Sequence, residues 1–256
     1  MKDFLKYIFA IIIFLFIGFE SHSQGWIITE SDNSITLIRE GWVKSISNDE
    51  EGESTSIFNP EKGVFIMIDD ANETFAKGSG DDFCNAIISM REEMNKQIPP
   101  EQLKMMEDMI ADNKAKPAPK VTVSKENGGE IAGYQTEKYS IIADGELFEE
   151  KWITNDQALK SIIDIYKATQ ELTYKTVKCS VPDESFLKIS TEYSNEYMKV
   201  ELSGIELKNV SYEYGSETLS EVLSIEKEDI SPSEFEVPES YSEISFEDFL
   251  MAMSDM

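Results

Sequence analysis

Histidine is almost missing from this chain: of 256 residues only His22 is a histidine. Arginine is nearly as scarce, with Arg39 and Arg91 alone, and 23 basic residues face 50 acidic ones for a net charge of −27. A surface this acidic repels phosphate backbones and anionic headgroups, and no basic stripe interrupts it, so nucleic acid is not an expected partner. Cysteine occurs twice, as Cys84 and Cys179. Without a long apolar run after residue 23, the rest of the chain has no transmembrane segment.

The N-terminus explains part of the scarcity. Lys2 and Lys6 precede an apolar run from Tyr7 to Phe19, and Ser21 and Ser23 place small residues where signal peptidase reads. Residues 1–23 therefore read as a cleavable signal peptide, its apolar run shorter than the roughly 20 residues a bilayer needs. No cysteine lies beside the cleavage site, so a lipoprotein anchor is not expected and the protein is placed in the periplasm or outside the cell. Cleavage removes His22, which excludes Ser-His-Asp, Cys-His and histidine-metal sites. In an oxidising compartment Cys84 and Cys179 either form one disulfide or serve as two small buried hydrophobes.

What the chain does have is strand and turn chemistry. Ile131 to Thr154 reads as a β-hairpin around Asp144-Gly145, a dipeptide that tolerates the positive φ angles of a tight turn. A plain two-residue turn sets Ile141 opposite Phe148, Tyr139 opposite Glu150 and Glu137 opposite Trp152. Tyr139, Ile141, Phe148 and Trp152 then share one covered face. The same register opposes Lys138 and Lys151, a like-charge pair that leaves the register open.

Before the hairpin, Trp26 to Thr29, Ile35 to Ile46, Ser54 to Phe58, Val64 to Ile68 and Glu73 to Lys77 read as a meander of strands. The acidic loop from Asn48 to Gly52 lacks the alternating ligands of a calcium loop. A helical insertion covers about residues 81–113. Asp81 and Asp82 cap its first helix, with Phe83, Cys84, Ile87, Ile88 and Met94 at helical spacing, and Pro99-Pro100 divides it from a second. Met90, Met94, Met105, Met106 and Met109 give this pair a deformable apolar surface; Cu(I) sites usually also recruit histidine or cysteine, so no metal or other cofactor is expected.

After the hairpin, Thr154 to Gln157 offers a capping box for a helix carrying Leu159, Ile162, Ile163 and Tyr166 on one stripe. Residues 183–198 suit a helix better than a strand, strands follow at Ile205 to Tyr214 and Thr218 to Lys227, and Phe235 to Pro238 is placed as the closing strand. A short amphipathic helix of about 245–256 ends the chain, packing on the body or on a partner. Strands interrupted by one-striped helices predict an α+β fold, a curved antiparallel sheet with helices on its concave face.

Several of these stretches carry a family resemblance. Ile98-Pro99-Pro100-Glu101-Gln102 and the methionine-rich helix after it, Gly133-Tyr134 with Thr136, Lys138 and Tyr139, Trp152-Ile153-Thr154, and Phe235 to Tyr241 resemble a family of secreted bacterial proteins of unknown function. That family is in turn similar to the outer-membrane lipoprotein carriers. The likeness implies an incomplete antiparallel barrel over residues 24–256 that holds acyl chains between sheet and helices. It spans much of residues 98–241, and many relatives have cysteine where Thr136 stands.

Together these readings predict an apolar cleft between sheet and helices, lined by Tyr139, Ile141, Phe148, Trp152, Met94, Met106 and Met109, that takes a lipid-like or other apolar ligand. The same residues would equally serve as a plain core. An alternative from another class is an acidic interaction module that holds an envelope protein. Catalysis is not expected: Ser185-Phe186-Leu187-Lys188 and Ser31-Asp32-Asn33 mimic motifs of serine acyl-transfer enzymes in the wrong order, and no Lys-Thr-Gly follows. Glu149 and Glu150, adjacent on a strand, point to opposite faces and cannot flank one glycosidic bond.

Overall fold

Turns with positive φ set the strand boundaries in the computed structural model, which describes residues 24–49, 52–212 and 216–254. Asp144 (φ 52°) and Gly145 (φ 94°) form the expected hairpin turn, and Glu40 (φ 49°) with Gly41 (φ 79°) forms another. That second turn divides the single strand predicted over Ile35 to Ile46 into two. The signal-peptide segment 1–23, the centre of the acidic loop and Gly215 lie outside the described residues.

The first meander comprises β1 (Gln24–Glu30), β2 (Ile35–Arg39), β3 (Trp42–Asp49), β4 (Gly52–Asn59), β5 (Val64–Asp69) and β6 (Thr74–Ser79). The second comprises β7 (Val121–Ile131), β8 (Tyr134–Ala143), β9 (Glu146–Thr154), β10 (Ile205–Ser211) and β11 (Thr218–Asp229). β11 pairs antiparallel with β1, Gln24 opposite Asp229, and so joins the meanders into one sheet. A short β12 (Ser242–Ile244) adds parallel to β6 at the far edge. The order is β12-β6-β5-β4-β3-β2-β1-β11-β10-β9-β8-β7, an open curved sheet with an α+β complement of helices, as the sequence predicts.

The helices are α1 (Gly80–Gln97), α2 (Pro100–Ala115), α3 (Lys160–Ser180), α4 (Ser185–Ile189), α5 (Asn195–Glu201) and α6 (Phe246–Ser254). Ser79 caps α1: its hydroxyl accepts from Asp82 N at 3.1 Å, and the Asp82 carboxylate accepts from Ser79 N at 2.8 Å. This reciprocal pair is a capping box. The box predicted at Thr154 does not form. Instead, the Asp156 side chain accepts from Ala158 N and caps a short 3-10 turn ahead of α3. No helix among the described residues is long and apolar enough to cross a membrane.

One sheet face packs Ile28, Ile38 and Val43 against Ile162 and Ile163 of α3. On the opposite face Leu37, Ile57, Ile66 and Ile68 are covered by Ile230 and Phe235. The Phe235 to Pro238 segment is therefore not the closing strand. Prolines at 232 and 238 cannot donate to a ladder, and the chain crosses the outer face as cover before β12 takes the edge. Each such fully buried isoleucine contributes about 1.5–3 kcal/mol. The C-terminal helix packs on the body, Phe246 lying against Phe65 and Phe83 at 6.2 and 5.6 Å between ring centroids.

The β8–β9 register departs from the expectation. Ala143 faces Glu146 and Ile142 faces Leu147, but Ile141 then faces Glu149, so Phe148 is an unpaired bulge residue. Below the bulge every partner shifts by one. Lys138 now faces Trp152, its ammonium 4.9 Å from the ring centroid, and Lys151 faces Tyr139. The unfavourable lysine pair is thereby avoided, while Phe148 stays on the covered side with Tyr197. Trp152 goes to the outer face, away from Tyr139 and Ile141.

Candidate functional site

Helix α3 roofs the first meander, and beneath it the side chains do not fill the space. The reason lies in the sheet. Thr36 of β2 faces Ser45 of β3, and Ser45 faces Ser56 of β4, so a row of small hydroxyl residues crosses the floor. A larger row flanks it on one side, with Ile38, Val43 and Phe58 in register. Over this floor lies a cavity of about 290 Å³, walled by Ile28, Ile38, Val43, Phe58, Ile162 and Val222. None of the three hydroxyls has a hydrogen-bond partner among the described residues.

A second cavity of about 110 Å³ continues the first and shares Phe58 and Thr169 with it. Its walls are Phe65, Phe83 and Leu172. Along α3 the lining residues climb from Ile162, Ile165 and Tyr166, through Thr169, to Leu172, Thr173 and Thr176. At 1.5 Å per residue the groove runs about 21 Å beneath the helix. The roof is fastened at its far end: Cys179 of α3 forms a disulfide with Cys84 of α1, Cα to Cα 5.5 Å. Of the two alternatives open for these cysteines, the structure has the bonded one.

The near end of the groove is acidic. Glu30 of β1 faces Val222 of β11, and Glu206 belongs to β10 on the other side of β11. Burial, and then the neighbouring Asp32, raise Glu30 above the usual carboxylate range. Glu30 has no cationic partner among the described residues. Glu206 accepts from Lys151 at 2.7 Å, and Lys151 also meets Glu201 at 2.6 Å and Glu149 at 3.4 Å. The Lys151 side chain is 5% exposed. One ammonium thus serves three carboxylates.

That imbalance acts on Lys151 and Glu206. Burial disfavours the Lys151 charge, but Glu206 and Glu201 outweigh it and hold the ammonium firmly protonated. Burial raises Glu206 to about 7 despite the pull of Lys151, with repulsion from Glu201 and Glu149 adding to it. Tyr166 donates to Glu201 Oε2 at 3.3 Å, and burial pushes its phenol well above the ordinary range. Asn209 Nδ2 donates to Glu149, whose other oxygen is buried without a partner among the described residues.

The residues predicted to line the cleft are distributed differently. Tyr139, Ile141 and Phe148 do come together, but in a packed cluster with Tyr197 and Val200 of α5. Trp152 sits on the outer face between the Lys138 and Lys208 ammonium groups, 4.9 and 5.4 Å from its ring. Met94 and Met109 are 56% and 46% exposed, and Met106 is half-buried; none of the three lines either cavity. The groove residues escaped sequence reasoning because a serine on a strand looks like a solvent-facing residue. Only the register shows that Thr36, Ser45 and Ser56 line up beneath a helix.

Compared with known proteins, the chain matches no family model and no curated protein.

Proposed function

We propose that the protein is a non-enzymatic binding protein of the periplasm or cell exterior that holds a lipid-like or other apolar small molecule in the groove beneath α3. The observation that supports this is a cavity of about 290 Å³ with mainly aliphatic and aromatic walls, left open by the Thr36, Ser45 and Ser56 row. Its volume stands at the lower end of the roughly 300–1,000 Å³ that ligand pockets span, so one chain or a small ring system suits it and a multi-chain lipid does not.

The test is uptake of the neutral apolar fluorophore N-phenyl-1-naphthylamine. Saturable uptake at one probe per chain is expected, and Ser45→Phe, which fills the floor, abolishes it while the variant stays folded. Undiminished uptake by Ser45→Phe, or none by the unaltered protein, sinks the reading. A second reading draws on the exposed side chains of Met94 and Met105, 56% and 71% accessible, beside a net charge of −27. An acidic module holding a basic envelope protein would release it as salt rises to physiological levels, whereas apolar uptake hardly responds.

A further inference from the structure

Two ends of different chemistry give the groove a direction. At the far end Phe58, Phe65, Phe83 and Leu172 supply rings and methyls beside the neutral Thr169, Thr173 and Thr176, and no charged side chain of the described residues lines it. At the near end Glu30 and Glu206 are, among the described residues, the only carboxyl side chains of the lining, and no described lysine or arginine lines either cavity. The cation paired with Glu206, Lys151, is already shared among Glu149, Glu201 and Glu206 and has no charge to spare for an anion.

We infer that the groove selects an amphiphilic amine, with its ammonium head between Glu30 and Glu206 and its apolar tail under α3 toward Phe83. The inference rests on the reading of the groove as an apolar binding site and specifies the head that site accepts. A fatty-acid or phosphate head would lie against two carboxyls whose one cation, Lys151, is already shared, at a desolvation cost that no free charge there offsets. An ammonium supplies what Glu30 lacks. The raised position of Glu206, near 7 through burial, means that an arriving cation also favours its ionised form. The protein's net charge of −27 draws cations toward the groove from solution.

The test compares decylamine, decanol and decanoate, equal in chain length and different in head charge, by isothermal titration calorimetry at pH 8 below micelle-forming concentrations. Decylamine is expected to bind at one per chain about tenfold more tightly than decanol, and decanoate about tenfold more weakly. Glu30→Gln, a change at a half-buried carboxylate outside the Lys151 network, should narrow the amine-to-alcohol ratio severalfold. Glu206→Gln provides the same comparison should Glu30→Gln fail to fold. Equal binding of all three probes, or preference for decanoate, overturns the amine assignment while the apolar site stands. If none of the three binds, the apolar-site reading falls and the assignment falls with it.

Discussion

Replacing Lys151 by methionine keeps most of the side-chain volume and removes the one cation that, among the described residues, pairs with Glu149, Glu201 and Glu206. The lysine is 5% exposed and its ammonium lies 2.6 Å and 2.7 Å from two of the carboxylates, so water cannot substitute for it. Breaking a buried pair by deleting one partner costs about 3–5 kcal/mol. That magnitude belongs to neutral or alkaline pH, where Glu206 is forced toward ionisation without its counter-ion. The sign with pH follows from linkage. In the unaltered protein Glu206 titrates near 7 when folded, above its ordinary 4.5, so it binds its proton more tightly in the folded state. Its contribution is therefore fully present below about 4.5 and is lost as pH rises toward 7. Without the pull of Lys151 Glu206 rises further, and the variant's deficit widens with pH. Urea unfolding at pH 5 and pH 8 measures this. We expect the loss to fall to about 1–2 kcal/mol at pH 5, the worth of lost hydrogen bonds and packing alone. A deficit below about 1 kcal/mol at both pH values, or one equal at both, would refute the account of a saturated ammonium.

Two further outcomes follow from the geometry. Cys179→Ser opens a loop closed over 95 residues, and loss of that tether should lower stability by about 4–5 kcal/mol on the chain-entropy scale, read as a reduced urea midpoint that reductant no longer affects. Gly204→Ala places a methyl 2.1 Å from the Thr154 carbonyl oxygen and 2.7 Å from Ile153 Cγ2. Backbone must move there, so calorimetry should show a loss of about 1–3 kcal/mol, and an unchanged melting temperature would mean that β9 and β10 are not this closely apposed.

The sequence carried the turns and helices more clearly than the pairings. Asp144-Gly145 and Pro99-Pro100 announce a hairpin and a helix break through backbone chemistry that each residue owns alone. The bulge at Phe148 has no such owner: it follows from cross-strand neighbours, chiefly the lysines it keeps apart, and it sends Trp152 to the other face. The break at Glu40-Gly41 was hidden because apolar residues continue on both sides of it. The methionines showed helical spacing, but spacing gives a stripe without saying what the stripe meets. Most distant from sequence is the groove itself, whose floor is defined by what three strands share.

The joining of β1 to β11 has a consequence for how the molecule reaches this state. Within each meander the strands pair in succession, through short turns except where α3 to α5 join β9 to β10, whereas Gln24 must find Asp229 across almost the whole described chain. Loop closure over that span is the slowest search the topology imposes. Until β11 is available, β1 is an edge bearing Trp26, Ile27 and Ile28, an apolar strand open to pairing with other chains. The seam between the meanders therefore sets the folding rate, and Trp26, opposite Lys227 within it, is the chromophore that should report its closure last.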